Sequence, residues 1–130
     1  MINVVAGILV QDRKLLIGFR PKHSVMGGVW ELPGGKVKPT ETKKSALIRE
    51  FKEELGISIT VNECLWHGTS NHNSIEFYIE FYSVSCECIK MLMPYYHDEI
   101  IWASRESVST KKFADTDWMV IEQLIVSGEL

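Results

Sequence analysis

Residues 35–57 read GKVKPTETKKSALIREFKEELGI, and their second half carries a strong helical pattern. Apolar side chains recur there every four positions, at Leu47, Phe51 and Leu55. This spacing places them on one face of an α-helix. Gly56 follows directly and is typical of the residue that ends a helix. The segment therefore predicts a loop and then a helix from about Thr42 to Leu55.

The same helix carries three glutamates on one face, Glu50, Glu53 and Glu54. Successive helical residues turn by about 100°, so the three carboxylates fall within one arc of about 100°. Like charges at this spacing repel by a few tenths of a kcal/mol per pair unless a cation neutralises them. Mg²⁺ takes oxygen ligands and leaves positions for water or phosphate oxygens. The pattern is typical either of a solvated acidic surface or of a site for a hard divalent cation.

The spacing around these glutamates favours the cation site. Gly35 is followed by five residues and Glu41, and then by seven residues and the segment Arg49 to Ile57. This arrangement resembles the signature of the Nudix hydrolases. The preceding residues, Trp30 to Lys36, are similar to the loop that enters this signature in MutT-like members. The resemblance implies an α/β protein with the Nudix fold, an α/β/α sandwich around a mixed β-sheet.

The resemblance also implies a magnesium site, with Mn²⁺ able to replace Mg²⁺. The implied metal ligands are the Gly34 carbonyl and the carboxylates of Glu50, Glu53, Glu54 and Glu99. Glu99 belongs to this set because MutT-like enzymes add an acidic residue from a distant loop. His97-Asp98-Glu99-Ile100 occupies the equivalent place before a predicted strand.

By the same resemblance, the catalytic residues are expected to be Glu50, Glu53, Arg49 and Glu99. Glu50 is the first choice for the base that takes a proton from water, and Glu99 is the second. Arg49 is expected to orient the carboxylates, because a bidentate contact between arginine and a carboxylate fixes geometry as well as charge. Glu41 is expected to be a structural residue at the start of the helix.

MutT-like enzymes attack a nucleoside triphosphate at the β-phosphorus and release a nucleoside monophosphate and pyrophosphate. The implied substrate-binding residues are Arg20, Glu31, Leu32, Pro33, Gly34 and Asp117. Arg20 matches an arginine that contacts the nucleotide, although a plain surface arginine fits the sequence equally well. A non-catalytic Nudix domain that only binds a nucleotide is the alternative of another class, but such domains usually lose carboxylates that are all present here.

Asp117 matches the position where MutT-like enzymes place an Asn or Asp that reads the base. An ionised Asp117 would accept from an exocyclic amine such as cytosine N4, whereas a protonated Asp117 could also donate and read an oxidised guanine. The overall resemblance puts 8-oxo-dGTP slightly ahead, with CTP, dCTP and their 5-substituted forms close behind. Capping of a helix N-terminus is the structural alternative for Asp115 or Asp117.

The rest of the chain predicts a mixed order of strands and helices. Strands are expected at Val4 to Val10, Leu15 to Phe19, Val29 to Leu32, Ile57 to Val61, Ser74 to Ser83 and Ile100 to Trp102. A closing amphipathic helix is expected from Asp115 to Val126. No repeat or linker interrupts the pattern, so residues 1–130 are predicted to form a single domain.

Composition narrows the class of protein further. A net charge of -3 argues against a nucleic-acid polymer as partner, because domains that bind polyanions carry an excess of Lys and Arg. No apolar stretch approaches the roughly 20 residues that span a bilayer, and the N-terminus lacks the basic residues of a secretory signal. The three cysteines form no disulfide framework, and His23, His67, His72 and His97 lack metal-ligand spacing. We expect a cytoplasmic monomer or homodimer that acts on a small nucleotide and binds no membrane.

Overall fold

A computed structural model describes all residues from Met1 to Leu130. The strands are β1 Ile2–Ile8, β2 Val10–Gln11, β3 Lys14–Phe19, β4 Trp30–Glu31, β5 Gly34–Lys36, β6 Thr60–His72, β7 Ile75–Ser85 and β8 Glu99–Ala103. The helices are α1 Lys43–Leu55, α2 Arg105–Val108 and α3 Asp115–Val126, with a 3-10 turn at Ile89–Met91. None of these helices is long and apolar enough to cross a bilayer.

The strands form two sheets. The larger sheet has the order β5-β1-β7-β6, in which β1 and β7 run parallel and the other neighbours run antiparallel. In the smaller sheet, β3 pairs antiparallel with β2, β4 and β8. The larger sheet is therefore mixed, as the sequence resemblance implies.

Successive side chains of β1 point to opposite faces of the sheet and enter two different cores. Val5 packs in a cluster with Leu47 and Phe51 of α1. Ala6 packs in the other cluster with Ile121 of α3. Because the two helices bury their apolar faces on opposite sides of the strands, the architecture is an α/β/α sandwich. The predicted α/β/α sandwich around a mixed β-sheet is confirmed.

Both ends of α1 lie where the sequence predicts them. Thr42 caps the N-terminus, since its hydroxyl accepts from the Ser45 N–H while the Ser45 hydroxyl bonds to the Thr42 N–H. Gly56 ends the helix in the left-handed conformation at φ 69°. The closing helix α3 spans Asp115–Val126, so that prediction is also confirmed.

Other strand predictions need correction. The run Val4 to Val10 is broken at Leu9, because β1 ends at Ile8 and β2 belongs to the other sheet. The strand predicted at Ile57 to Val61 begins only at Thr60, since Ile57 and Ile59 bury their side chains in the α1 core as the chain leaves the helix. The apolar run Ile100 to Trp102 also predicts a buried strand, but β8 is only half-buried, because it pairs with β3 alone and forms a sheet edge.

Candidate active site

A cavity of about 490 Å³ lies between α1, β5 and the segment before β8. Its lining residues are Arg20, Gly34, Gly35, Lys36, Glu50, Glu53, Glu54, Tyr95 and Tyr96. Three acidic and two basic side chains thus face one small space. The volume suits a small molecule. The charges suit an anionic ligand that enters together with a cation.

Arg49 ties the start of α1 to the glutamates of its last turns. Its Nη1 lies 2.9 Å from Glu50 Oε1 and 3.1 Å from Glu53 Oε2. Its Nε and Nη2 both donate to the Glu41 carboxylate, which also accepts from the Lys38 N–H. The guanidinium therefore contacts three carboxylates at once, and these contacts lower the pKa of Glu41 to about 2.

The Glu50 carboxylate lies directly on the backbone of Gly35. A Cβ at Gly35 would lie 2.5 Å from the Glu50 carboxyl carbon, which is closer than any side chain allows. A side chain at this position would displace the Glu50 carboxylate, so glycine lets the carboxylate lie close to the loop. The Glu50 side chain is 14% exposed and the Glu53 side chain is 55% exposed, so the carboxylates of α1 range from sheltered to solvated.

Glu54 is the most buried acidic side chain of the cavity, at 8% exposure. Its Oε1 is buried without a hydrogen-bond partner. Burial raises the pKa of Glu54 above its usual range, and the nearby carboxylates of Glu31 and Glu50 raise it further. A buried acceptor without a donor, close to other carboxylates, is costly unless a cation completes it.

The donor set fits a hard divalent cation. Carboxylate oxygens are the ligands that Mg²⁺ prefers, and the orphaned Glu54 oxygen lies at the wall of the cavity. No three acidic, histidine or cysteine side chains converge closely enough to hold an ion by themselves. Backbone carbonyls, water and phosphate oxygens would therefore complete the coordination, which is usual for Mg²⁺ beside a phosphorylated substrate.

Arg20 lines the same cavity from the end of β3. Its Nη1 forms an ion pair of 2.9 Å with Glu31 Oε1, and its Nη2 donates to the Val25 carbonyl. Glu31 also lies 2.9 Å from Nε2 of His97, through its other oxygen. Glu31 itself does not line the cavity, so its contact with a substrate stays a prediction.

Three of the predicted substrate-binding residues are buried behind the loop that leads into α1, namely Leu32, Pro33 and Asp117. Leu32 and Pro33 are buried outside the cavity lining, and the Pro33 carbonyl accepts from the Gly7 N–H at 2.8 Å. Asp117 is 8% exposed, and its Oδ2 accepts from the Leu32 N–H at 2.9 Å. Burial raises the pKa of Asp117 to about 7.

Asp117 does not cap its helix. The N-cap residue of α3 is Ala114, which makes no side-chain cap, and Asp117 lies inside the first turn with its carboxyl turned to Leu32. The structural alternative of N-capping is therefore wrong for Asp117. Its role in reading a base stays a prediction.

Glu99 lies apart from the other predicted metal ligands. It is the first residue of β8, pairs with Phe19 and is exposed. It is absent from the cavity lining. The structure thus brings together Gly34, Glu50, Glu53 and Glu54 but not Glu99.

Several residues of the cavity wall were not predicted from the sequence. Tyr95 and Tyr96 reach the cavity because the Tyr95 N–H bonds to the Glu54 carbonyl and docks this segment on the end of α1. Lys36 adds a cation next to the glycines. His97, which was not predicted either, lies outside the cavity lining and is buried at 3% exposure beside Glu31. Among these residues, only Lys36 could have been found from the sequence, because it directly follows Gly35 at the start of the signature.

An acidic helix face beside a Gly-rich loop, with two cationic side chains on the same cavity wall, suits the hydrolysis of phosphorylated compounds with a divalent cation. The family model described as the NUDIX domain matches residues 1–128. The chain belongs to the Nudix family. Enzymes of this family generally need a divalent metal ion.

Two curated relatives are informative. The chain is 34% identical over 122 residues to the CTP pyrophosphohydrolase of Escherichia coli (strain K12), covering 94% of this chain and 90% of that protein. It is 40% identical over 73 residues to the 8-oxo-dGTP diphosphatase of Proteus vulgaris, covering 55% of this chain and 63% of that protein.

Solved structures agree with these relatives. The solution structure of the E. coli ORF135 protein superposes with a TM-score of 0.80 at 30% identity, covering 98% of this chain and 93% of that chain. A MutT structure from a study of Aliivibrio salmonicida and Vibrio cholerae gives a TM-score of 0.75 at 29% identity, covering 97% of this chain and 98% of that chain. The chain is thus similar to MutT-like proteins along nearly its whole length.

Proposed function

We propose that this protein is a Mg²⁺-dependent pyrophosphohydrolase that converts a nucleoside triphosphate and water into a nucleoside monophosphate and pyrophosphate. One observation carries the proposal. The buried and unpartnered Glu54 oxygen lies in the same cavity as two further helix carboxylates and two basic side chains. This combination suits a metal ion on one side of a phosphate chain and cationic side chains on the other.

The reaction balances as a single hydrolytic step. The oxygen of water bonds to the β-phosphorus, and the bond from that phosphorus to the α–β bridging oxygen breaks. The bridging oxygen leaves with the monophosphate, and the water oxygen stays in pyrophosphate. The metal, when bound, lowers the pKa of water and neutralises phosphate charge.

The helix residues divide this work among them. Glu50, held by Arg49 and packed on Gly35, is the proposed base that takes the proton from water. Glu53, Glu54 and the Gly34 carbonyl are proposed as metal ligands. Glu99 is kept as an additional ligand and as the second choice for the base, which would require its exposed side chain to move toward the cavity.

Arg20 and Lys36 are proposed to contact the phosphates. Both are cations on the wall of the cavity, and each can donate to phosphate oxygens. Glu31, Leu32 and Pro33 support the substrate from the loop. Their contacts with β1, α3 and Arg20 fix the backbone next to Gly34.

Asp117 is proposed to read the base. Its Oδ2 is already occupied by the Leu32 N–H, so Oδ1 is the oxygen left for a nucleotide. A carboxyl with a pKa of about 7 is ionised in part at neutral pH, when it accepts from cytosine N4. The protonated part can donate to an oxidised guanine.

The length of the similarities supports one order of substrates. The relative named for CTP is similar along 94% of this chain, whereas the one named for 8-oxo-dGTP is similar along 55%. We therefore propose cytidine triphosphates first and 8-oxo-dGTP second, which reverses the order favoured by the sequence alone. The second activity would remove a mutagenic nucleotide from the DNA precursor pool.

A nucleotide panel tests the proposal. Pyrophosphate release is measured with Mg²⁺, with Mn²⁺ and with EDTA for about twenty canonical and oxidised triphosphates. We expect metal-dependent release with CTP, dCTP or 8-oxo-dGTP as the best substrate. Tight nucleotide binding without release from any member of the panel would instead support the non-catalytic alternative.

A further inference from the structure

Arg20 is linked to the buried His97 by two partly buried contacts through Glu31. The His97 side chain is fully buried, and its Nε2 lies 2.9 Å from Glu31 Oε2. A carboxylate only accepts, so the imidazole N–H is the donor. The second Glu31 oxygen binds Arg20 Nη1 at 2.9 Å. We call these three residues the His97–Glu31–Arg20 chain.

Strand pairing explains how this chain crosses the small sheet. Gly18 of β3 pairs with Glu31 of β4 on one side and with Ile100 of β8 on the other. His97 comes from the segment before β8 and lies over Gly18 to reach Glu31. A Cβ at Gly18 would lie 2.5 Å from the imidazole Cδ2, so only glycine leaves room for this path.

Packing alone does not account for a histidine at this place. Its Nδ1 is buried without a partner, which is a cost that an apolar side chain of similar size would avoid. The centroids of the His97 and Tyr96 rings lie 4.9 Å apart, edge to face. Tyr96 lines the cavity next to His97, and Arg20 lines it at the other end of the His97–Glu31–Arg20 chain. The polar contact with Glu31 is the feature that an apolar residue would lose.

We propose that His97 is a positioning residue that holds Glu31, and through Glu31 the Arg20 guanidinium, in place for the substrate phosphates. This inference rests on the proposed function. Arg20 has a second contact, from Nη2 to the Val25 carbonyl, whereas its Nε is buried without a partner. The ion pair with Glu31 therefore fixes the direction in which the guanidinium points. Without His97, Glu31 keeps one partner and can rotate away.

A double-mutant cycle between His97 and Arg20 tests the proposal. Steady-state kinetics are measured with the nucleotide of the panel that the wild type hydrolyses fastest, for His97→Leu, Arg20→Ala and the double variant. We expect His97→Leu to raise KM about tenfold with kcat changed less than about threefold. The double variant should be no worse than Arg20→Ala alone, because both changes remove the same interaction.

Three further variants separate positioning from stability. His97→Gln keeps a donor near Nε2 and should recover most of the lost affinity, and Gly18→Ala should reproduce the KM defect by displacing the ring. His67→Leu replaces an exposed histidine of β6 and should change nothing. Thermal midpoints are recorded for every variant, and kinetics are measured well below the lowest of them.

The outcomes distinguish the two claims. An active wild type with additive effects in the cycle, or with His97→Leu altering the midpoint alone, overturns the positioning role and leaves the proposed function intact. A wild type that hydrolyses no nucleotide of the panel overturns both. Non-additive KM effects with recovery in His97→Gln support the role.

Discussion

Glu54 is the residue at which stability and function oppose each other most directly. Its carboxyl is buried, one oxygen lacks a partner, and the neighbouring carboxylates raise its pKa. When folding raises the pKa of an acidic side chain, the folded protein loses stability as the pH rises above the pKa that this side chain has in the unfolded chain. A buried carboxylate that destabilises the fold is typical of a site where function requires its charge.

Glu54→Gln tests this opposition. We expect kcat to fall by about two orders of magnitude or more, because a metal-facing charge is lost. In EDTA we expect the free energy of unfolding to rise by about 1 kcal/mol, with a larger gain at higher pH. Glu122→Gln, an exposed change on α3, is the control for both measurements. Wild-type turnover in Glu54→Gln would place the metal elsewhere.

Asp117 supports a prediction about base selection. With a pKa of about 7, its carboxyl is protonated at pH 6 and ionised at pH 8. Glu31 raises the pKa of Asp117 and Arg20 lowers it, so neither Glu31 nor Arg20 is mutated in the pH experiment. The ratio of kcat/KM for 8-oxo-dGTP to that for CTP should therefore fall from pH 6 to pH 8.

Asp117→Ala should flatten that pH profile. We also expect kcat/KM for the preferred substrate to fall by an amount equivalent to about 1 to 3 kcal/mol, with smaller losses for poor substrates. Asp115→Ala, at the exposed first position of the same helix, is the matched control. Equal ratios among bases in wild type and Asp117→Ala would show that Asp117 only anchors Leu32.

The loop and helix of the site are joined by a single arginine. Arg49 contacts Glu41 before the helix, Glu50 and Glu53 within it, and the Lys36 carbonyl of β5. A planar guanidinium can serve these partners together, whereas a lysine ammonium cannot match the bidentate contact with Glu41.

Arg49→Lys should therefore disturb the arrangement of the carboxylates while keeping the charge. We expect kcat to fall by about 10- to 100-fold, because small displacements of catalytic groups are costly. The far-UV circular dichroism should be unchanged. Lys52→Arg makes the opposite exchange at an exposed position of α1 and should be silent. Full activity in Arg49→Lys would rule out an orienting role.

Local patterns explain which elements the sequence could predict. Helix α1 and its ends follow from the four-residue period and from Gly56, which act within the segment itself. Strand β6 was missed beyond its first residues, because side chains such as Asn62, Glu63 and Asn71 give no apolar alternation. Its pairing with β7 holds it in place instead.

In the site, too, only the residues within one local segment could be predicted from the sequence. The carboxylates of α1 lie together as their helical spacing requires. Tyr95 reaches the site through a contact with the distant Glu54 carbonyl, and His97 lies behind the site in contact with the distant Glu31 carboxylate. No spacing along one sequence encodes such contacts, so these residues could not be found from the motif.

The two helix layers of the whole molecule are joined at the site. Helix α1 supplies the carboxylates from one face of the sheet, and α3 supplies Asp117 from the other. The segment from Leu32 to Lys36 connects them, since it bonds to Asp117 at one end and borders the cavity at the other. A ligand at the cavity should therefore stabilise the entire fold.

Metal addition tests this coupling. If the free protein binds Mg²⁺ with a Kd near 1 mM, 10 mM Mg²⁺ adds about 1.4 kcal/mol to the free energy of unfolding. For a domain of this size, Tm should then rise by roughly 5 °C relative to EDTA. The rise should be absent in Glu53→Gln/Glu54→Gln and present in Glu122→Gln. An equal rise in all three proteins would indicate a salt effect.

Hydrolysis in ¹⁸O-labelled water, followed by ³¹P NMR of the products, tests the central claim most directly. The proposed attack on the β-phosphorus predicts one ¹⁸O atom in pyrophosphate and none in the nucleoside monophosphate, with turnover that depends on Mg²⁺. Label in the monophosphate, release of inorganic phosphate as the first product, or turnover that persists in EDTA would contradict it.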